Sequence, residues 1–332
     1  MVSPVNYIIT FLLQRCLQGI VVLFVISLIA FAIQDNLGDP LRELVGQAVS
    51  ELERENLRKE MGMTDPFAQR YTRFLADALA GDLGMSYQFK EPALKVILEK
   101  FPATFELVLG TAFIVVLLAI PIGCFCATKP DAILSRAVMG LSIVGISVPV
   151  FLTGIFSIYY FSVVKEWLPS FGRGDTVRVL GWESGFLTAD GLSHLILPCL
   201  TLSTIMLPLF IRLVRSEMMG VLEQPYIRTA WAKGLKKRRV WFKHALKNTL
   251  LPVITVGGVQ FGSLLAYTVL TETIFQWPGM GFMFLDAVNR VDTPLIVAYV
   301  VVVGIIFLVT NTLVDLTYRI VNPTVDIQGE QT

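Results

Sequence analysis

The sequence predicts an all-α polytopic membrane protein: six transmembrane helices and a helical segment on the outer side of the membrane. Three observations predict it. The 332 residues are 54% hydrophobic and only 16% charged, with mean hydropathy +0.66, which is more apolar side chain than one soluble core of this size can hide. Six stretches are long enough to cross a hydrocarbon layer of roughly 30 Å at about 1.5 Å of rise per residue. Each stretch is bounded by polar or Pro/Gly-containing sequence, and most are nearly free of charge inside.

The expected spans are 10–34, 103–127, 138–164, 193–215, 248–272 and 294–321. The first ends in Ala30-Phe31-Ala32, which has the small-x-small form of a signal-peptidase site. Its apolar run is longer than a leader's and only Arg15 precedes it, so a retained helix is expected. Pro121, Pro149, Pro198 and Pro252 lie in or at the edge of spans, where neighbouring helices can satisfy the carbonyls that proline frees. Kinks with a role in transport and kinks without one are equally open. Cys16, Cys124, Cys126 and Cys199 all lie in apolar stretches and read as small buried hydrophobes rather than a disulfide framework or zinc site. A net charge of +1, without interleaved basic and aromatic residues, excludes a nucleic-acid partner.

Lysine and arginine placement orients the chain. With the N-terminus inside, the inner segments hold Arg15, Lys129, Arg136, the run from Arg212 to Lys247, and Arg319. The short outer loops hold Lys165, Arg173, Arg178 and Arg290. The long 35–102 segment carries more, but long translocated segments are discounted in this rule. Both termini are therefore expected in the cytoplasm. Within 35–102, Leu41, Leu44, Val45, Val49, Leu52 and Leu57 recur at helical spacing among charged residues. Met61-Gly62 reads as a helix end and Asp65-Pro66 as the next start. A docking platform for a soluble partner and a cap over helix ends are both compatible with that pattern.

Between spans four and five, segment 216–247 is strongly basic. Pro225 suits the first turn of a helix, since its missing N–H has no partner there in any case. Gly234 suits the residue after the last turn, where positive φ is needed. The helix between them has about two turns and needs something packed on it to persist. Ala230 and Ala232 are small enough for a close approach, and Tyr226 and Trp231 offer aromatic area of the kind that anchors interfaces. Contact with anionic lipid is the competing reading.

At this point the residues resemble a family. Tyr226-Ile227-Arg228-Thr229-Ala230, Ala232-Lys233-Gly234-Leu235, then His244-Ala245-Leu246-Lys247-Asn248 with Leu251-Pro252, look like the EAA loop of ABC importer permeases of the dipeptide/oligopeptide/nickel type. Thr229 stands at the first alanine of that motif, Arg228 at its glutamate, and Trp231 is bulkier than the family pattern. Further matches run along the chain: Gly81-Asp82-Leu83-Gly84-Met85-Ser86, Phe101 to Leu107, Ser147-Val148-Pro149-Val150-Phe151, Thr271 to Phe275, and Trp277-Pro278-Gly279-Met280-Gly281. The resemblance implies an ABC type I importer (MetI-like) permease fold with an extracytoplasmic insertion. It implies a first helix at 1–34, the insertion at 35–102, a five-helix permease core at 103–321 and a cytoplasmic tail at 322–332.

It also implies that residues 226 and 228–235 (Tyr226, Arg228, Thr229, Ala230, Trp231, Ala232, Lys233, Gly234 and Leu235) couple to an ATPase. The expected partners are a second homologous permease, two ATP-binding cassette subunits holding ATP and Mg, an extracytoplasmic binding protein, and membrane lipid. The expected cargo is di- or oligopeptide. Nickel, glutathione or opines by the same mechanism, or an ion-coupled secondary transporter, are the alternatives.

Glu272 at the outer end of span five is a candidate for the pathway or gate, with Phe275, Pro149 and Phe151. Its plain alternative is a carboxylate bonded to nearby structure, and Glu106 has the same ambiguity. Asp315 and Arg319, four apart with the acid first, read as a structural pair. His194 and His244 fall on opposite sides of the membrane, which excludes a shared metal. No phosphate-binding glycine loop, nucleophile elbow or zinc motif is present, so no catalytic residue, cofactor or metal is expected in this chain.

Overall fold

The computed structural model describes residues 4–34, 51–60, 64–179 and 181–321. Among them the helices are α1 (Pro4–Gln34), α2 (Glu51–Glu60), α3 (Phe67–Leu79), α4 (Ala93–Thr128), α5 (Ile133–Ser147) and α6 (Val150–Val164). There follow the antiparallel pair β1 (Val177–Val179) and β2 (Trp182–Ser184), then α7 (Ala189–Leu222), α8 (Pro225–Ala232), α9 (Lys237–Ile274), α10 (Met280–Asn289) and α11 (Thr293–Val321). The expected apolar positions 41–49, the Met61-Gly62 helix end, the side chain of Arg319 and the 322–332 tail lie outside the described residues.

Five helices are long and apolar enough to cross a membrane, and the count is six if the α5–α6 pair is one bent span. That pair occupies the span expected at 138–164, with its break at Pro149. Pro149 disfavours helical geometry at the preceding residue, and Val148 is extended at φ −85°, ψ 121°. The two helices meet at 108°. Two other boundaries also differ from expectation. Helix α4 begins ten residues before 103, because charges at Lys95, Glu99 and Lys100 end the apolar run without interrupting helical hydrogen bonds. Helix α9 likewise begins at Lys237, and the segment after Glu272 is no open loop but carries α10.

The chain forms two compact units, Met1–Pro102 with Pro278–Val309, and Ala103–Trp277 with Thr310–Thr332. In the first unit α3 turns its apolar face onto α1. The Tyr71 hydroxyl lies 2.9 Å from Ser27 Oγ and donates to the Phe24 carbonyl at 3.2 Å. The rings of Phe67, Tyr71 and Phe74 surround Phe31 at 5.5–5.7 Å. The helical spacing of apolar residues in α3 thus serves packing within the chain. The glycine-rich turn at 81–86 is pinned to the start of α11. Buried Asp292 caps that helix, accepting from the Leu295 N–H at 3.4 Å. It also accepts from Ser86 Oγ and from the Gln88 N–H at 3.1 Å.

The second unit packs α4, α6, α7 and α9 around small residues. A Cβ on Gly123 of α4 would lie 2.6 Å from Val214 of α7, and one on Gly258 of α9 would lie 2.1 Å from Val314 of α11. These positions bring backbones together where the interface offers little hydrophobic driving force in lipid. The shared apolar space between α4, α7, α9 and α11 is a groove of about 740 Å³ with Gln260 and Thr310 among its few polar side chains.

Candidate functional site

Helix α8 is built by its two ends. Gln224 is extended (φ −65°, ψ 147°) and Pro225 occupies the first helical position, where its fixed φ is pre-organised and no hydrogen bond is lost. At the other end the Gly234 N–H donates to the Trp231 carbonyl at 2.9 Å and the Leu235 N–H to the Ala230 carbonyl at 3.3 Å. With Gly234 at φ +72°, these are the two bonds of a Schellman cap. Nothing lies within 4 Å of a Cβ built on Gly234, so the demand for glycine there is purely conformational.

A helix of eight residues needs packing to persist, and the chain supplies it on one face. Ile227 is fully buried and Ala230 nearly so, against α7 and the π-helical stretch Val240–Ala245 at the start of α9. The small side chain of Ala230 thus admits the chain's own helices on this face. Tyr226, Arg228, Thr229, Trp231, Ala232, Lys233 and Gly234 are exposed, and Leu235 is half-buried. The Trp231 ring, the departure from the family pattern, sits on this open face at 37% exposure. Asn248 of α9 donates to the Tyr226 hydroxyl at 2.6 Å.

The four pathway or gate candidates differ in exposure. Glu272 and Phe275 are buried, whereas Pro149 and Phe151 are exposed. Glu272 accepts from Thr104 Oγ1 at 2.7 Å, and its backbone carbonyl accepts from the Trp277 N–H at 2.8 Å. The Phe275 carbonyl accepts from the Gly172 N–H at 2.9 Å. Trp277 is fully buried, with its indole N–H donating to the Ala103 carbonyl at 2.9 Å. The end of α9 is therefore stitched to α4 and to the 165–188 loop.

One turn along α4, Glu106 answers its own ambiguity. Its carboxylate accepts from Arg173 Nη2 at 2.8 Å, from Arg173 Nε at 3.1 Å and from the Gly185 N–H at 2.8 Å. Both side chains of the pair are buried. Sequence reading missed this pair, the Asp292 cap and the Tyr226–Asn248 bond. Glu106 and Arg173 carry no spacing signal, but Asp292-Thr293-Pro294 before an apolar run is a helix start that could have been read. No group of three or more metal-ligating side chains occurs among the described residues.

Apolar membrane-length helices with a short capped helix between two of them define a polytopic membrane protein. One chain of the MetNI methionine ABC transporter, solved in inward-facing conformations, is similar in fold. Its TM-score is 0.52 at 16% identity, with 69% of this chain and 97% of that one covered. The family described as "Binding-protein-dependent transport system inner membrane component" matches residues 119–327, and its N-terminal companion matches 8–108. The chain belongs to this family. It is 36% identical to the dipeptide transport system permease protein DppB of Escherichia coli K12, over 94% of this chain and 97% of that protein. It is 35% identical to the oligopeptide transport system permease protein AppB of Bacillus subtilis, over 95% and 99%. A di/tripeptide permease of Pseudomonas aeruginosa is 36% identical over 95% and 98%.

Proposed function

We propose that this chain is one permease subunit of an ATP-driven, binding-protein-dependent importer of di- or oligopeptides. The observation that carries the reading is end-to-end identity of about a third with permeases named for those cargoes. In this reading two cytoplasmic ATPase subunits, holding ATP and Mg, receive the exposed face of α8. A second related permease completes the pathway and an extracytoplasmic binding protein delivers the peptide. The chain itself hydrolyses nothing. Both termini lie in the cytoplasm, as the basic residues around α8 favour.

Closure of the ATPases displaces α8, whose buried Ile227 and Ala230 make it move with the chain behind it. That displacement tilts α7 and α9, and the bundle exchanges two packings. The pathway residues are ones that change exposure between those packings; buried Glu272 and Phe275 and exposed Pro149 and Phe151 are the candidates.

The test is uptake of a radiolabelled dipeptide into proteoliposomes holding the complete importer and its binding protein, with and without ATP. Peptide accumulation that needs ATP and the binding protein supports the reading; accumulation driven by an ion gradient alone sinks it. Gly234→Val, which costs about 1 kcal/mol or more of backbone strain at positive φ, should lower uptake and stimulated ATP hydrolysis while membrane insertion is unchanged. If both rates survived the substitution, α8 would not be the coupling element.

A further inference from the structure

Helix α8 is joined to the bundle by a short segment of backbone at each end. At one end the chain passes through exposed Glu223 and Gln224, and at the other through exposed Gly234 at positive φ. Side chains packed behind the helix also carry displacement inward. Ile227 and Ala230 do so through apolar packing, which resists compression but carries no directional pull. One contact on this helix is directional and reaches a membrane-length helix. Asn248 Nδ2 donates to Tyr226 Oη at 2.6 Å across 22 residues of sequence.

The place where this bond lands is specific. Asn248 is followed by Thr249, which is fully buried and belongs to the contact between α9 and α7. Thr249 Oγ1 lies 3.3 Å from Met218 Sδ of α7 and donates to the Ala245 carbonyl at 3.1 Å. Ala245 closes the π-helical stretch Val240–Ala245, and such wide turns inside helices are frequent at functional sites. The Tyr226 hydroxyl thus meets α9 where its register changes and next to where it meets α7.

We infer that the Tyr226–Asn248 hydrogen bond is the positioning contact that makes α9 follow α8, so that ATPase closure and movement of the membrane bundle stay in step. The inference rests on α8 being the ATPase dock. Neither side chain touches cargo. Tyr226 keeps α8 in register with α9, and without the hydroxyl α8 still docks but slips against the bundle during the stroke. ATP is then hydrolysed without a matching movement of peptide.

The experiment uses the complete importer with its binding protein in proteoliposomes, carrying Tyr226→Phe, Asn248→Ala, or both. Peptide taken up per ATP hydrolysed is the readout. Each single variant should lower that ratio about fivefold, the scale of one lost hydrogen bond, and the double variant should be no worse than either single. Asn248→Gln, which keeps the amide donor, should recover part of the ratio. An unchanged ratio in the single variants, or losses that multiply in the double variant, overturns the inference. A photo-crosslinker replacing Lys233 separates the two layers. Capture of the ATPase subunit with an unchanged ratio removes this bond's role alone, whereas no capture in the unmodified background removes the docking reading beneath it.

Discussion

Glu106 and Arg173 lie 67 residues apart and meet with two hydrogen bonds while both are nearly lost to solvent. A buried pair of this kind adds little over an apolar replacement, but removing one partner strands a charge. Glu106→Ala should therefore destabilise the detergent-solubilised protein by about 3–5 kcal/mol, read as a fall in thermal midpoint. Adding Arg173→Met should restore much of the loss, and a further fall in the double variant would count against the pair. Asp286 of α10, whose side chain is half-buried, shows the opposite regime. Partial burial pushes its carboxyl up, but the Gln88 amide and the Arg290 guanidinium outweigh that and hold it below the ordinary value. A depressed carboxyl stabilises the fold above its unfolded value of about 3.9 and loses that contribution as pH falls through the folded one. The gap in thermal midpoint between the natural chain and Asp286→Asn should narrow below about pH 4 and hold steady above pH 5; a gap independent of pH would refute the linkage. Glu106 illustrates why such sites escape a reading of sequence. Its acidity near a span end is visible, but its partner comes from a loop whose path is set by tertiary packing.

Elements were legible where their signals are local. Pro225 and Gly234 bracket α8, because proline at a first turn and glycine at positive φ are properties of one or two residues. The face that α8 buries was not legible, since Ile227 and Ala230 point inward only because α7 and the π-helical start of α9 stand there. The same division holds at Pro149. Its presence within the expected span was plain and a kink there was open, but nothing local gives the 108° at which α5 and α6 meet. If Pro149 causes the break, Pro149→Ala frees Val148 to take helical angles and supports a continuous helix. Spin labels placed at Arg136 and Tyr160 should then report a longer mean distance than in the natural sequence. An unchanged distance would assign the bend to packing of α6, where Gly154 lies against Thr201 and Ile274, rather than to the proline.

For the whole molecule, that bend decides the topology. Five helices can cross alone, and the α5–α6 pair contributes a sixth crossing only if it passes through rather than returning to the same side. With six crossings the two termini share a side; with five they do not. The basic residues favour six, because the short loops then divide with Lys129 and Arg136 on the side of the α8 segment. Composition alone cannot tell a broken span from a re-entrant one, since both bury the same apolar residues. The two arrangements differ at Asp131, before the pair, and Glu183, after it. Cys16 is the exposed native thiol among the described residues, so the measurement starts from Cys16→Ala and adds Asp131→Cys, Glu183→Cys or Lys233→Cys singly. An impermeant maleimide on right-side-out vesicles should label Glu183→Cys alone, with the other two reacting only after permeabilisation. Lys233 is separated from Glu183 by α7 and so must lie opposite it in either arrangement, which makes it the internal control. Labelling of Asp131→Cys together with Glu183→Cys would make the pair re-entrant and place the termini on opposite sides. Labelling of Lys233→Cys from outside would invert the molecule and remove α8 from the compartment that holds ATP.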